Sequence, residues 1–164
     1  MSEPILLQRP RLAVYVLTTG LLAGTMDILG AMTSYSIRTG KNPMRVLDFV
    51  ASGVFGREAL TGDESLAAWG LLFHYFIAFS WTVLFYFLYP RVKLFQGDKI
   101  WKGIGYGIFV WMGMNLVVVP LSNAPKTPFN VLTAIQAMGI LIVCIGLPIS
   151  ILANKYYVAV AGKK

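Results

Sequence analysis

The sequence predicts an all-α integral membrane protein: a four-transmembrane-helix bundle with a short amphipathic interfacial helix in its first loop. Three observations carry this. Of the 164 residues, 57% are hydrophobic and 13% charged, with a mean hydropathy of +0.67, whereas soluble domains average about 25% charged residues. The charge is also missing in blocks. Asp27 alone interrupts the stretch between Arg11 and Arg38, and Leu66 to Tyr89, Gly103 to Pro125 and Thr127 to Asn154 contain no Asp, Glu, Lys or Arg. Each block exceeds the ~20 residues that carry a helix across ~30 Å of hydrocarbon. Finally, the basic residues cluster between alternate blocks, as they do in multi-pass chains. A soluble globular fold and a disordered chain are both excluded.

The four spans fall at about 12–36, 66–89, 101–122 and 130–152, which makes residues 1–164 a single membrane domain with no room for a soluble catalytic one. Arg9 and Arg11 followed by an apolar run mimic a secretory signal, but the run outlasts the 7–15 residues of a signal core and reads as an uncleaved anchor. Cys144 is the only cysteine, so no intramolecular disulfide forms.

The first loop holds a helix at about 43–55. Asn42 can cap it, Pro43 suits its first position, and Gly56 is placed to end it. Leu47, Val50, Ala51 and Val54 recur at helical spacing, while Arg45, Asp48 and Ser52 point elsewhere. About thirteen residues cannot span, so the helix lies on the outer membrane surface or dips back as a lid. Thr61 to Ser65 reads as a capping turn into the second span, and Pro125 and Pro128 make the last connection tight.

Placing the N-terminus, the second loop and the C-terminus on one side gives that side Arg9, Arg11, Arg91, Lys93, Lys99, Lys102, Lys155, Lys163 and Lys164, against Glu3 and Asp98. The opposite side has Arg38, Lys41, Arg45, Arg57 and Lys126 against Asp48, Glu58, Asp63 and Glu64. Short basic loops stay cytoplasmic, so both termini are expected in the cytoplasm of a bacterial cell, with the protein in its inner membrane. The net charge of +7 is thereby a topology signal that meets anionic membrane lipids, and no nucleic-acid partner is expected. Tyr15, Tyr86, Tyr89, Trp101, Tyr156 and Tyr157 fall near the cytoplasmic ends, Tyr35 and Trp69 near the outer ends, and Trp81 and Trp111 deeper, between helices.

Ionisable side chains at membrane depth are costly and usually functional. This chain has two, Asp27 and His74. At 1.5 Å of rise per residue, Asp27 lies ~13 Å and His74 ~12 Å below the outer surface, with Asn115 at ~10 Å and Gln136 at ~9 Å. Each span thus offers one strongly polar side chain at about one level. Small residues flank them: Gly20-Leu-Leu-Ala-Gly24 and Gly103-Ile-Gly-Tyr-Gly107 are GxxxG packing faces, and Ala67, Gly70 and Ala78 share a face with His74. Pro120 and Pro148 predict kinks whose freed carbonyls can line a cavity. The layer is read as a site for a proton, an ion or a small molecule; the alternative is a hydrogen-bonded network that only fixes helix register, in an accessory or assembly subunit of a larger membrane complex. The GxxxG faces also allow a homo-oligomer.

No catalytic constellation accompanies this layer. His74 is the single imidazole, and Ser80 lies on another helix face from it. Catalytic zinc usually takes three protein ligands, more than one His and one Asp supply. Gly103 to Gly107 lacks the third glycine of a dinucleotide loop. A non-enzyme without metal or cofactor is expected, and transport is the leading function.

His74, Phe79-Ser80, Pro90, Lys93-Leu-Phe-Gln-Gly97, a glycine-bearing span and Pro120 together resemble the YagU-like group of small bacterial inner-membrane proteins, over about residues 66–122. The resemblance implies a polytopic bacterial protein and no particular chemistry. It also implies family histidines where this chain has Asn115 and, in the last span, near Gln136. Amides in place of imidazoles argue against a role that needs several histidines.

Overall fold

A computed structural model describes residues 11–61, 64–91, 98–126, 128, 130–162. Glu3, Arg9, Asp63, Lys93, Lys163 and Lys164 of the charge count, part of the turn before the second span and the Lys93 to Gly97 segment lie outside the described residues. The described chain is all-helical. Four helices are long and apolar enough to cross a membrane: α1 (Leu12–Thr39), α3 (Glu64–Leu88), α4 (Lys99–Leu121) and α5 (Val131–Ala161). The short α2 (Arg45–Phe55) lies between the first two.

Local chemistry sets the ends. Gly40 closes α1 in the left-handed region at φ 66°, its N–H donating to the Ser36 carbonyl. The Asp98 side chain caps α4 by accepting from Ile100 N at 2.7 Å, and Asn130 caps α5 by accepting from Thr133 N at 3.0 Å. Asn42 works differently from the expected cap. Its side chain accepts from Met44 N at 3.0 Å in a turn, and α2 begins at Arg45. Gly56 ends α2 at φ 67°, as its position suggested. The fourth helix runs nine residues beyond the predicted 152, to Ala161. Lys155 ends the apolar run without ending the helix, because Tyr156 and Tyr157 continue to pack, Tyr157 stacking on Tyr89 at 4.7 Å.

The two prolines do not break their helices. Each follows one wide π turn: Met114–Val118 before Pro120 and Ile142–Gly146 before Pro148. Proline lacks an N–H and crowds the carbonyl four residues back. A π turn moves the next backbone bond to the fifth residue, seen as Val119 N–H to Met114 O and Leu147 N–H to Ile142 O. At both prolines expected to kink a helix the preceding turn is thus widened locally, a feature that recurs at functional sites.

Both GxxxG faces are used inside the chain. An added Cβ at Gly20 would overlap the Phe79 ring, and one at Gly24 would lie 3.0 Å from Tyr75, so these glycines seat α1 on α3. Gly103 and Gly107 receive the backbone of α5 at Ile142, Gly146 and Leu147. Both faces are thus filled within the chain.

The packed core sits in the half that carries the termini, where Ala23, Phe85, Tyr86, Tyr106, Val110, Ile145, Ile149 and Ala153 form one cluster. At the other end a smaller cluster of Ile28, Leu47 and Ala67 gathers among the described residues. The outer surface is apolar, with Leu17, Leu29, Phe76, Leu121, Leu132 and Ile135 all more than half exposed. Contiguous apolar exposure of this extent marks a surface made for something other than water.

Candidate functional site

Between those two clusters lies a cavity of about 410 Å³. Asp27 of α1, His74 of α3 and Gln136 of α5 all line it. Gly24 and Asp27 are three residues apart on α1, so they share a face, and His74 reaches that face. Its Nε2 lies 2.8 Å from the Gly24 carbonyl oxygen. A carbonyl can only accept, so Nε2 carries the proton that bonds to it. His74 is buried, and the small residues Gly70 and Ala78 on its own helix leave room for it.

Asp27 and His74 share the cavity, and the imidazole bonds to the α1 backbone. Asn115 is displaced from the expected layer. It is exposed on α4, and its Nδ2 donates to the Trp111 carbonyl one turn back, at 2.9 Å. Its amide bonds to its own helix and does not line the cavity. On α4 the cavity is lined by Val110, Met114 and Val118 instead, and Trp81 Nε1 reaches the Met114 sulfur at 3.4 Å.

α2 forms the cavity's wall at the end away from the termini, through Val46, Phe49, Val50 and Gly53. A close backbone approach holds it there, since a Cβ on Gly70 would collide with the Leu47 carbonyl. Asn123 ties its far end, with its N–H to the Gly53 carbonyl and its Nδ2 to the Val54 carbonyl, both at 2.9 Å. The buried strip of α2 is Leu47, Asp48, Ala51 and Ser52. This corrects the expectation that Asp48 and Ser52 point away while Val54 packs: Val54 is 53% exposed. Asp48 tolerates burial because Arg45 pairs with it at 3.4 Å and also donates to the Leu60 carbonyl at 2.7 Å.

Sequence reasoning missed two features. Arg38 lines the cavity and donates to Thr133 Oγ1 at 3.1 Å, bridging α1 to α5; the signal was a basic residue just past the predicted end of the first span. Lys102, counted as a loop charge, is 7% exposed. Its ammonium donates to Tyr89 Oη at 3.0 Å, and Tyr89 donates in turn to Asn154 Oδ1 at 2.8 Å. The interfacial tyrosines thus form a packed cage at the termini-bearing end. Among the described residues no three His, Cys, Asp or Glu side chains gather as metal ligands. Compared with known protein families, curated proteins and solved structures, the chain gives no match.

Proposed function

We propose that this chain is a multi-pass protein of the bacterial inner membrane, with both termini cytoplasmic, that binds and passes a small solute through the cavity lined by Asp27, His74 and Gln136. One observation carries the reading: polar side chains from three of the four long apolar helices line about 410 Å³ of space. A network that only fixed helix register would fill that space with its own hydrogen bonds. A proton or a bare ion needs far less room. Pockets of 300–1,000 Å³ with a few convergent polar groups are those that take small organic ligands. Kinship with the YagU-like proteins belongs to the same proposal, on the residues quoted above alone.

Ala137 lines the cavity, and Ala137→Trp should fill it. In a thermal-shift screen of small organic molecules, compounds that stabilise the wild-type protein should fail to stabilise Ala137→Trp. Identical response profiles for the two proteins would refute solute binding in this cavity.

The orientation has its own test. Nine of the fourteen basic residues lie on the side given to the termini. In a Cys144→Ala background, Gly162→Cys should resist a membrane-impermeant thiol reagent in intact cells, and Lys126→Cys should react. The opposite labelling pattern would invert the topology.

A further inference from the structure

The cavity's chemistry is lopsided, and the asymmetry selects a class of ligand. Most of its lining is hydrocarbon or aromatic, with Phe49, Ile77, Trp81, Ile140, Leu141 and Ile145 among the walls. Such walls match an apolar body and give a small hydrated ion nothing to replace its water. Asp27 is the one acidic residue in the lining. At its level Gln136 also offers an acceptor, its amide oxygen. The cationic residue in the lining, Arg38, belongs to the last turn of α1, about three helical turns from Asp27. It is engaged with Thr133. A negative group inside the cavity would face the Asp27 carboxylate, and burying like charges together is expensive.

Resting on the solute-binding reading above, we propose that the ligand is a lipophilic amine. Its ammonium nitrogen sits at Asp27, donating to the carboxylate and to the amide oxygen of Gln136. Its apolar body lies along Trp81, Phe49 and Ile140. Charge-assisted hydrogen bonds are roughly twice as strong as neutral ones, so the amine should outbind a neutral analogue of the same shape.

Three probes of one carbon skeleton test this: 4-phenylbutylamine, 4-phenylbutanol and 4-phenylbutyrate, titrated calorimetrically into the full-length protein in lipid nanodiscs. The amine is expected to bind about tenfold or more tightly than the alcohol, the range of one charge-assisted hydrogen bond, with no detectable binding of the acid. Asp27→Asn should bring the amine down to the alcohol's affinity, and Ala137→Trp should abolish binding of both. If the alcohol binds as well as the amine and Ala137→Trp removes both, the cavity reading survives and the amine assignment is overturned. Preferred binding of the acid overturns it as well. Absence of binding by all three probes overturns the amine and leaves the thermal-shift screen to judge the cavity. The wild-type comparison of amine with alcohol decides the matter even where Asp27→Asn does not fold.

Discussion

Gly146→Ala is expected to part α4 from α5 and to be among the most damaging single-methyl changes in the chain. A Cβ at Gly146 would run into the Gly103 carbonyl and lie 2.8 Å from Gly107 N, both of them backbone atoms that cannot rotate away. One helix must therefore retreat from the other along its length. Overpacking a well-fitted contact costs about 1–3 kcal/mol and occasionally more, and this position should fall at the upper end. Gly105 and Gly139 provide controls on the same two helices, because nothing lies within 4 Å of an added Cβ at either. There alanine should stabilise, by up to ~1 kcal/mol, through helix propensity alone. Thermal melts of the three variants in one detergent measure the ranking. If Gly146→Ala and Gly105→Ala melt together, the α4–α5 contact is not as close as described.

Ser52→Asp is the second change with a large expected effect. Ser52 is fully buried on α2, and its hydroxyl donates to the Phe49 carbonyl at 2.6 Å. An aspartate there would bury a second carboxylate one turn from Asp48, whose partner Arg45 is already shared with the Leu60 carbonyl. An uncompensated buried charge costs about 3–5 kcal/mol. Val50→Asp should be milder, because Val50 is half-buried and borders the open space of the cavity. Ser52→Ala, which loses only a hydrogen bond within the helix, should cost about 1 kcal/mol or less. Folded yield and melting temperature separate the three. A ranking with Val50→Asp worst would restore the face read from periodicity.

That reversal shows where sequence reasoning stops. Four apolar runs were legible because a charge within hydrocarbon is costly enough to empty whole segments of Lys and Glu. The existence of α2 was legible from Asn42, Pro43 and Gly56, which act through local backbone geometry. Its buried face was not. The spacing of Leu47, Val50, Ala51 and Val54 assumes one apolar surface beneath one helix, whereas α2 meets α3 on one side and the cavity on another. Depth counting placed Asp27, His74 and Gln136 at one level, and they do line one cavity. Counting along an axis gives height without direction around it. For Asn115 the missing direction decided the outcome, inside a π turn that shifts the helix face by about one residue. The Arg38–Thr133 bridge depends on how α1 and α5 lean together, which no local pattern records.

The wide turn at Ile142–Gly146 has a mechanical consequence. It divides α5 into two arms of opposite character about a pivot where Gly146 meets Gly103 and Gly107. The lower arm, Leu147–Ala161, is embedded through Ile149, Ser150 and Ala153, while the upper arm, Val131–Leu141, has no buried residue among those described. Local opening follows the least-packed element, so the upper arm is the part of this helix with least to hold it, and Arg38 bonds to Thr133 near its tip. Because that arm carries Gln136, Ala137 and Ile140 of the cavity wall, a displacement of it would open the chamber from the side. On the proposed function, a lipid-soluble solute would then reach Asp27 without passing beneath α2.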